Sequence, residues 1–327
     1  NAGDLLAQNG TEHVARDLDV LRAVLGDERL TYLGKSYGTV IGARYAELFP
    51  RRVGRMVLDG AMDPSSTIDE VALGQAEGFE SAFDAFVAWC VDQPTCALGS
   101  SPDAARQTMA DLLDRADAEP LPTGDENRPL TESLAFAAVA LPLYYPAEQG
   151  YPMLDTALRS AVDDGDGAAL LELADLYLDR TSDGEYRSNL NEAALAVNCL
   201  DRGDPDTTVE QTEAALPEFR AVAPTFGEQL AWSGLACAEW PHHADPAPTP
   251  VSAPGAAPIL VVGTTGDPAT PYVWAESLAA DLESGVLLSY DGFMHTAYMR
   301  ADDGCIDDAV DAYLIEGEVP PEGTMCP

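Results

Sequence analysis

The chain has 327 residues, 46% of them hydrophobic, enough to bury a sizeable core in one large domain with an insertion or in two domains. Its 56 acidic residues against 17 basic ones leave a formal charge of −39, a surface that repels nucleic acid and anionic lipid, both of which need clustered cations. No apolar run is long enough to span a bilayer, so neither nucleic acid nor a membrane is expected as a partner.

The first residues, Asn1-Ala2-Gly3-Asp4, carry no positively charged, hydrophobic leader and read as the middle of a protein, so any signal peptide lies upstream of them. From Thr11 to Leu25 the apolar residues Val14, Leu18, Leu21, Val24 and Leu25 recur at helical spacing, and Gly26 is placed to stop the helix, which predicts a helix laid on a sheet. Leu30 to Leu33 reads as a short buried strand ending in Gly34. Gly38 to Phe49 returns to helical periodicity, Pro50 closes it, and Val53 to Leu58 forms a second strand before Asp59-Gly60. This alternation is the rhythm of a parallel sheet covered on both faces, and it predicts an α/β fold with a mostly parallel sheet.

After Asp63-Pro64 the rhythm breaks. As far as His243 the patterns are helical: Phe79, Phe83, Phe86, Val87 and Cys90 mark one helix and Met109, Leu112 and Leu113 another. Leu154, Leu158 and Ala161, then Leu170, Leu171, Leu173 and Leu176, suggest two more. The stretch Ala244 to Pro258 is too rich in Pro and Ala to hold a regular element and reads as a linker. The α/β rhythm then resumes with a strand at Ile259 to Val262, a helix at Tyr272 to Leu282, a strand at Val286 to Tyr290 and a helix at Ile306 to Leu314. Residues 1–64 and 252–327 are therefore expected to form the core, and 65–251 a helical lid inserted into it.

Six cysteines fit the oxidising exterior of the cell, and a secreted protein is expected. Neighbours along the chain suggest short loops, Cys90 with Cys96, Cys199 with Cys237 and Cys305 with Cys326, although sequence alone leaves other pairings open. A zinc site lacks support, because no C-x-x-C pair occurs and His242-His243 stands in a Pro-rich stretch without a ligand pattern.

Gly34-Lys35-Ser36-Tyr37-Gly38 matches G-x-S-x-G between a strand and a helix, the context in which a sharp turn lifts a nucleophilic serine above a sheet. A serine hydroxyl needs a base, and the base an anion that fixes its tautomer. Of the four histidines, His13 lies on the polar side of the first helix and His242 and His243 lie near the linker, whereas His295 directly follows the last predicted strand. Carboxyl ends of strands are where open α/β sheets place their ligands. Asp267 also follows a strand, in the chain order Ser, Asp, His, and is preferred as the acid over Asp59, which reads as a turn residue. An oxyanion hole takes two backbone N–H groups. Tyr37 supplies one, but no Gly-rich loop precedes Ser36 to supply the other, and only one strand precedes the nucleophile. N-terminal strands of the sheet are therefore expected to be missing from this chain, and a separate N-terminal chain is expected to complete the sheet and the oxyanion hole.

Taken together, Tyr32–Thr39, Phe49–Val53, Val57–Gly60, Asn198-Cys199, Cys237–Pro241, Gly266–Pro271 and Gly292–Thr296 resemble the tripeptidyl aminopeptidase-like hydrolases of actinobacteria, relatives of proline iminopeptidase with the α/β-hydrolase fold. The resemblance covers the whole chain. It implies an exported enzyme with a helical lid and a triad at Ser36, Asp267 and His295, which releases short peptides or single residues from free N-termini. No cofactor or metal is implied. Capture of a substrate ammonium calls for carboxylates near the serine, and Glu148 and Glu239 are the candidates. In the family a Gly-rich loop precedes the serine elbow, and its absence here is the main departure. Two rival functions use the same fold: hydrolysis of small carboxylesters or amides, and binding without turnover.

Overall fold

The computed structural model describes residues 3–242, 248–302 and 304–327, without the side chain of Asp4. His243 and the first part of the expected linker, through Ala247, lie outside the described residues.

Five strands, β1 (Leu30–Lys35), β2 (Val53–Asp59), β3 (Ile259–Thr264), β4 (Gly285–Tyr290) and β5 (Thr324–Cys326), form one sheet in the order β1-β2-β3-β4-β5, every pair parallel. Strand alternation sorts its side chains onto two faces. Met56, Leu58, Ile259 and Val261 pack on one face with Ala43, Tyr45 and Ala46 of the helix Gly38–Leu48 and with Ala275 and Leu278 of the helix Tyr272–Asp281. Val57, Leu260, Val262 and Leu288 pack on the other with Ile306 and Val310 of the helix Cys305–Asp311 and with Tyr313. The apolar runs of β2 and β3 follow from this double coverage.

In chain order the helices are α1 (Thr11–Leu25), α2 (Gly38–Leu48), α3 (Ile68–Val91), α4 (Pro102–Ala118), α5 (Glu132–Leu143), α6 (Ala147–Arg159), α7 (Ala168–Tyr177), α8 (Leu190–Arg202), α9 (Val209–Val222), α10 (Gly227–Ala231), α11 (Tyr272–Asp281) and α12 (Cys305–Asp311). Helices α3 to α10 all lie between β2 and β3, so the inserted segment is helical, as its periodicity predicts. It has its own core, in which Phe226 packs edge to face with Phe79 and with Phe83, ring centroids 6.3 and 5.5 Å apart. Thr67 caps α3 reciprocally with Glu70, and Ser101 caps α4 ahead of Pro102.

Two expectations fail at one edge of the sheet. Strand β1 is not buried: Thr31 and Leu33 are exposed, and among the described residues β1 pairs only with β2. On α1 the buried positions are Thr11, Ala15 and Arg22, while Leu21, Val24 and Leu25 of the expected apolar stripe face solvent. The spacing does form a helix, but the sheet does not lie under Leu21, Val24 and Leu25.

The disulfides are Cys90–Cys96, Cys199–Cys237 and Cys305–Cys326. The last ties α12 to β5, a strand too short for its pattern to show in the sequence.

Candidate active site

Four neighbouring strands end at one rim, and each brings one residue of interest to it: Ser36 after β1, Asp59 at the end of β2, Asp267 after β3 and His295 after β4.

Ser36 sits in the left-handed region with φ 55°, which costs a non-glycine residue on the order of 1–2 kcal/mol and places it on a sharp turn. The turn is held from both sides. The Ser36 N–H donates to the Asp59 carbonyl at 2.9 Å, and the Ser36 carbonyl accepts from the amide and hydroxyl of Thr39 at 2.9 and 2.7 Å. A Cβ on Gly34 would stand 2.4 Å from the Gly38 carbonyl oxygen, so strand and helix can approach this closely only without a side chain there.

The Asp267 side chain is fully buried. Its Oδ1 accepts the N–H groups of Ala269 and Thr270 at 2.9 and 2.8 Å, its Oδ2 accepts that of Thr296 at 3.1 Å, and His295 Nδ1 lies 2.9 and 3.0 Å from the two oxygens. Three backbone donors fix the carboxylate, and the carboxylate fixes the imidazole. With Nδ1 committed in this way, Nε2 is the ring nitrogen left to accept a proton. The Thr270 hydroxyl is 3.4 Å from Nδ1 as well.

Asp59 is not the simple turn residue that the sequence suggests. Fully buried, it accepts the N–H of Ala297 and of Tyr298, both at 3.0 Å, and Lys35 Nζ lies 3.5 Å away and donates to the Tyr298 carbonyl. Burial pushes this carboxyl up, against the pull of those amides and of Lys35. Asp59 thereby draws the loop after β4 back across β3 toward β2. Ser36 and His295 consequently flank the same corner, since a Cβ on Gly60 would stand 3.4 Å from His295 Cε1 while Ser36 binds the Asp59 carbonyl.

The insertion closes over this rim. Tyr144, just past α5, meets the imidazole edge to face at 5.0 Å between centroids, and its carbonyl accepts the His295 N–H at 3.2 Å and Arg300 Nη2 at 3.0 Å. Burial raises the Tyr144 phenol well above its ordinary range. Nothing local in the sequence marks Tyr144, because its role depends on tertiary contact alone.

A cavity of about 330 Å³ opens beside the serine, lined by Ser36, Tyr37, Met62, Val71, Leu195 and Arg202, among others from α3 and α8. The Tyr37 hydroxyl donates to Asp201 at 2.8 Å and lies 2.9 Å from the Thr11 hydroxyl, which anchors the elbow to α1 and α8. Tyr37 precedes α2, where the first backbone N–H groups lack helical partners. Glu148 at the start of α6 and Glu239 are exposed, and neither lines this cavity. Among the described residues the group richest in metal-ligand types is Cys90, Cys96 and Asp155, but both of its sulfurs are held in a disulfide.

Residues 223–326 match the family described as TAP-like protein, and this stretch carries both Asp267 and His295. Over 99% of its length the chain is 42% identical to the serine protease Hip1 of Mycobacterium tuberculosis. The C-terminal stretch, residues 223–326, belongs to the TAP-like family. Other relatives are carboxylesterase B of M. tuberculosis, 38% identical over 98% of this chain, and the tripeptidyl aminopeptidase of Streptomyces lividans, 30% identical over 99%. The chain spans 62%, 61% and 59% of the lengths of these three relatives, respectively. Among its described residues no helix is long and apolar enough to cross a membrane.

Proposed function

We propose that the protein is a serine hydrolase that cleaves short peptides from free N-termini through an acyl-enzyme. The observation that carries this reading is the His295–Asp267 pair, held on a loop that Asp59 pins to the corner where Ser36 is bound. In the proposed cycle Ser36 Oγ attacks the carbonyl carbon while His295 Nε2 takes its proton. His295 returns that proton to the leaving amine, and water repeats the sequence to release the acyl group. Asp267 holds the ring and stabilises its charged form. The Tyr37 amide is one oxyanion donor in this scheme.

The second donor is assigned to a further polypeptide segment that pairs with the open edge of β1 and covers Leu21, Val24 and Leu25 on α1. The exposed strand edge and the exposed apolar stripe support this part of the proposal. Export from the cell is supported by the disulfides. Glu148 and Glu239 are retained as the carboxylates for a substrate ammonium.

A second reading, hydrolysis of small carboxylesters or amides, is favoured by one observation: no carboxylate is among the described residues lining the cavity beside Ser36. Parallel assays of tripeptide anilides with free and with blocked N-termini, alongside short acyl esters, separate the two. The peptidase reading predicts that blocking the amine abolishes anilide cleavage. Unchanged cleavage of the blocked peptides, with fast ester turnover, selects the second reading.

A further inference from the structure

Arg202, the last residue of α8, lines the cavity that also holds Ser36 and is only 5% exposed. Its Nη1 donates to the carbonyls of Ser66 and Asp63 at 2.7 and 3.3 Å. Its Nε and Nη2 are buried and have no hydrogen-bond partner. The neighbouring acid, Asp201, does not serve them, being taken up by Tyr37 and by the Thr11 N–H at 3.0 Å. A guanidinium stays charged at any physiological pH, and burying one without an anion is costly. In a chain with 56 acidic residues, the other buried arginine, Arg22, has found one, with Nε 2.7 Å from Asp19. The unpaired edge of a guanidinium that lines the same cavity as Ser36 is therefore an unfilled half of an ion pair, closed to water until the side chain turns toward that cavity.

Nε and Nη2 form the side edge of the guanidinium, whose two parallel N–H groups match the two oxygens of a carboxylate. Among the described residues lining the cavity Arg202 is the only charged one, and Met62, Ile68, Val71, Ala72 and Leu195 offer apolar surface. One cation within an acidic protein suits a singly charged carboxylate at the end of an aliphatic arm, whereas a phosphate dianion would require more cations. We propose that Arg202 is a specificity-determining residue that binds a carboxylate group of the substrate while Ser36 attacks it. This deepens the hydrolase reading and rests on it.

The test uses two pairs of nitrophenyl or phenyl esters. In the first, p-nitrophenyl valerate is compared with the p-nitrophenyl monoester of glutaric acid, so that the carboxylate is in the acyl half. In the second, the butyrate ester of methyl 4-hydroxybenzoate is compared with that of 4-hydroxybenzoate, so that it is in the leaving half. The acidic member of at least one pair is expected to be preferred by about tenfold or more in kcat/KM, and that ratio is expected to collapse in Arg202→Met and to fall in Arg202→Lys. Glutarate itself, titrated by calorimetry into Ser36→Ala protein, is expected to bind at one site and to lose binding when Arg202→Lys is added. This second measurement does not depend on turnover: glutarate binding without hydrolysis of any ester would overturn the hydrolase reading and keep the carboxylate site. Absence of preference in both pairs, or a preference and glutarate affinity that are undiminished in a folded Arg202→Met protein, overturns the proposal.

Discussion

Asp267 and His295 meet at the ends of adjacent parallel strands, with Nδ1 2.9 Å from one carboxylate oxygen and 3.0 Å from the other, and backbone amides from both loops complete the shell around the acid. An amide at position 267 could still bond to the ring but would favour the wrong tautomer, leaving a proton on the nitrogen that must accept one. Asp267→Asn is accordingly expected to lower kcat by about 10⁴ and, because its NH2 group must face at least one of the buried backbone N–H groups that the carboxylate accepts, to lower the melting temperature as well. Steady-state assays with an activated ester check this, and a loss of less than tenfold would remove Asp267 from the proposed mechanism.

Asp59 has a different task, and its substitutions separate positioning from chemistry. Asp59→Ala leaves the N–H groups of Ala297 and Tyr298 buried without their acceptor and is expected to destabilise the protein by about 3 kcal/mol. The same change frees the loop that carries His295, so labelling of Ser36 by a fluorophosphonate slows. Asp59→Asn keeps an acceptor oxygen and is expected to restore most of the labelling. Denaturant melts and labelling rates on both variants decide the point. Equal labelling rates in Asp59→Ala and the unaltered protein would contradict the anchoring role.

The Cys199–Cys237 disulfide joins α8 to the turn that contributes Ser233 and Cys237 to the cavity, across a sequence separation of 38. Loop closure of that length contributes about 3–4 kcal/mol through the unfolded state. Replacing both cysteines with serine is expected to cost that much stability and to raise KM more than it lowers kcat, because the wall of the cavity loosens while the Asp267–His295 pair does not. Urea melts and steady-state kinetics on the double variant test both halves.

Glu80 is buried on α3 and accepts the amide and hydroxyl of Thr225, both at 2.9 Å, yet burial still raises its carboxyl above the ordinary 4.5. The folded state thus holds this proton to a higher pH than the unfolded chain does. Stability from this group is full below about pH 4.5 and is lost as pH rises through the folded value. Glu80→Gln has no such proton to lose. The melting temperature of the variant minus that of the unaltered protein is expected to rise between pH 4.5 and 7 and to stay flat below. A difference that falls over that interval would contradict the sign.

Some of this architecture was legible in the sequence and some was not, for identifiable reasons. β2 and β3 announced themselves because strands buried on both faces are continuously apolar. The flanking glycines make Ser36 a candidate, and positions after strands make Asp267 and His295 candidates. Strand β5 has three residues beside a proline-containing turn, and only its pairing with β4 and the Cys305–Cys326 link make it a strand. The spacing on α1 marks a helix with an apolar stripe, but periodicity does not say what covers a face. Tyr144 and Arg202 come from the insertion, and their position beside the rim arises from helix packing over long sequence separations, which no local pattern encodes. Asp59 looked like a turn residue because its partners lie more than two hundred positions away.

The central claim is that Ser36 is a nucleophile activated by the imidazole of residue 295. The most direct measurement is the rate of covalent modification by a fluorophosphonate, with the adduct located by peptide mass spectrometry, in the unaltered protein, in Ser36→Ala and in His295→Ala. A single adduct on Ser36, absent in Ser36→Ala and formed at least about a hundredfold more slowly in His295→Ala, is the predicted result. An adduct elsewhere, or one that forms on Ser36 at the same rate without the histidine, would contradict it.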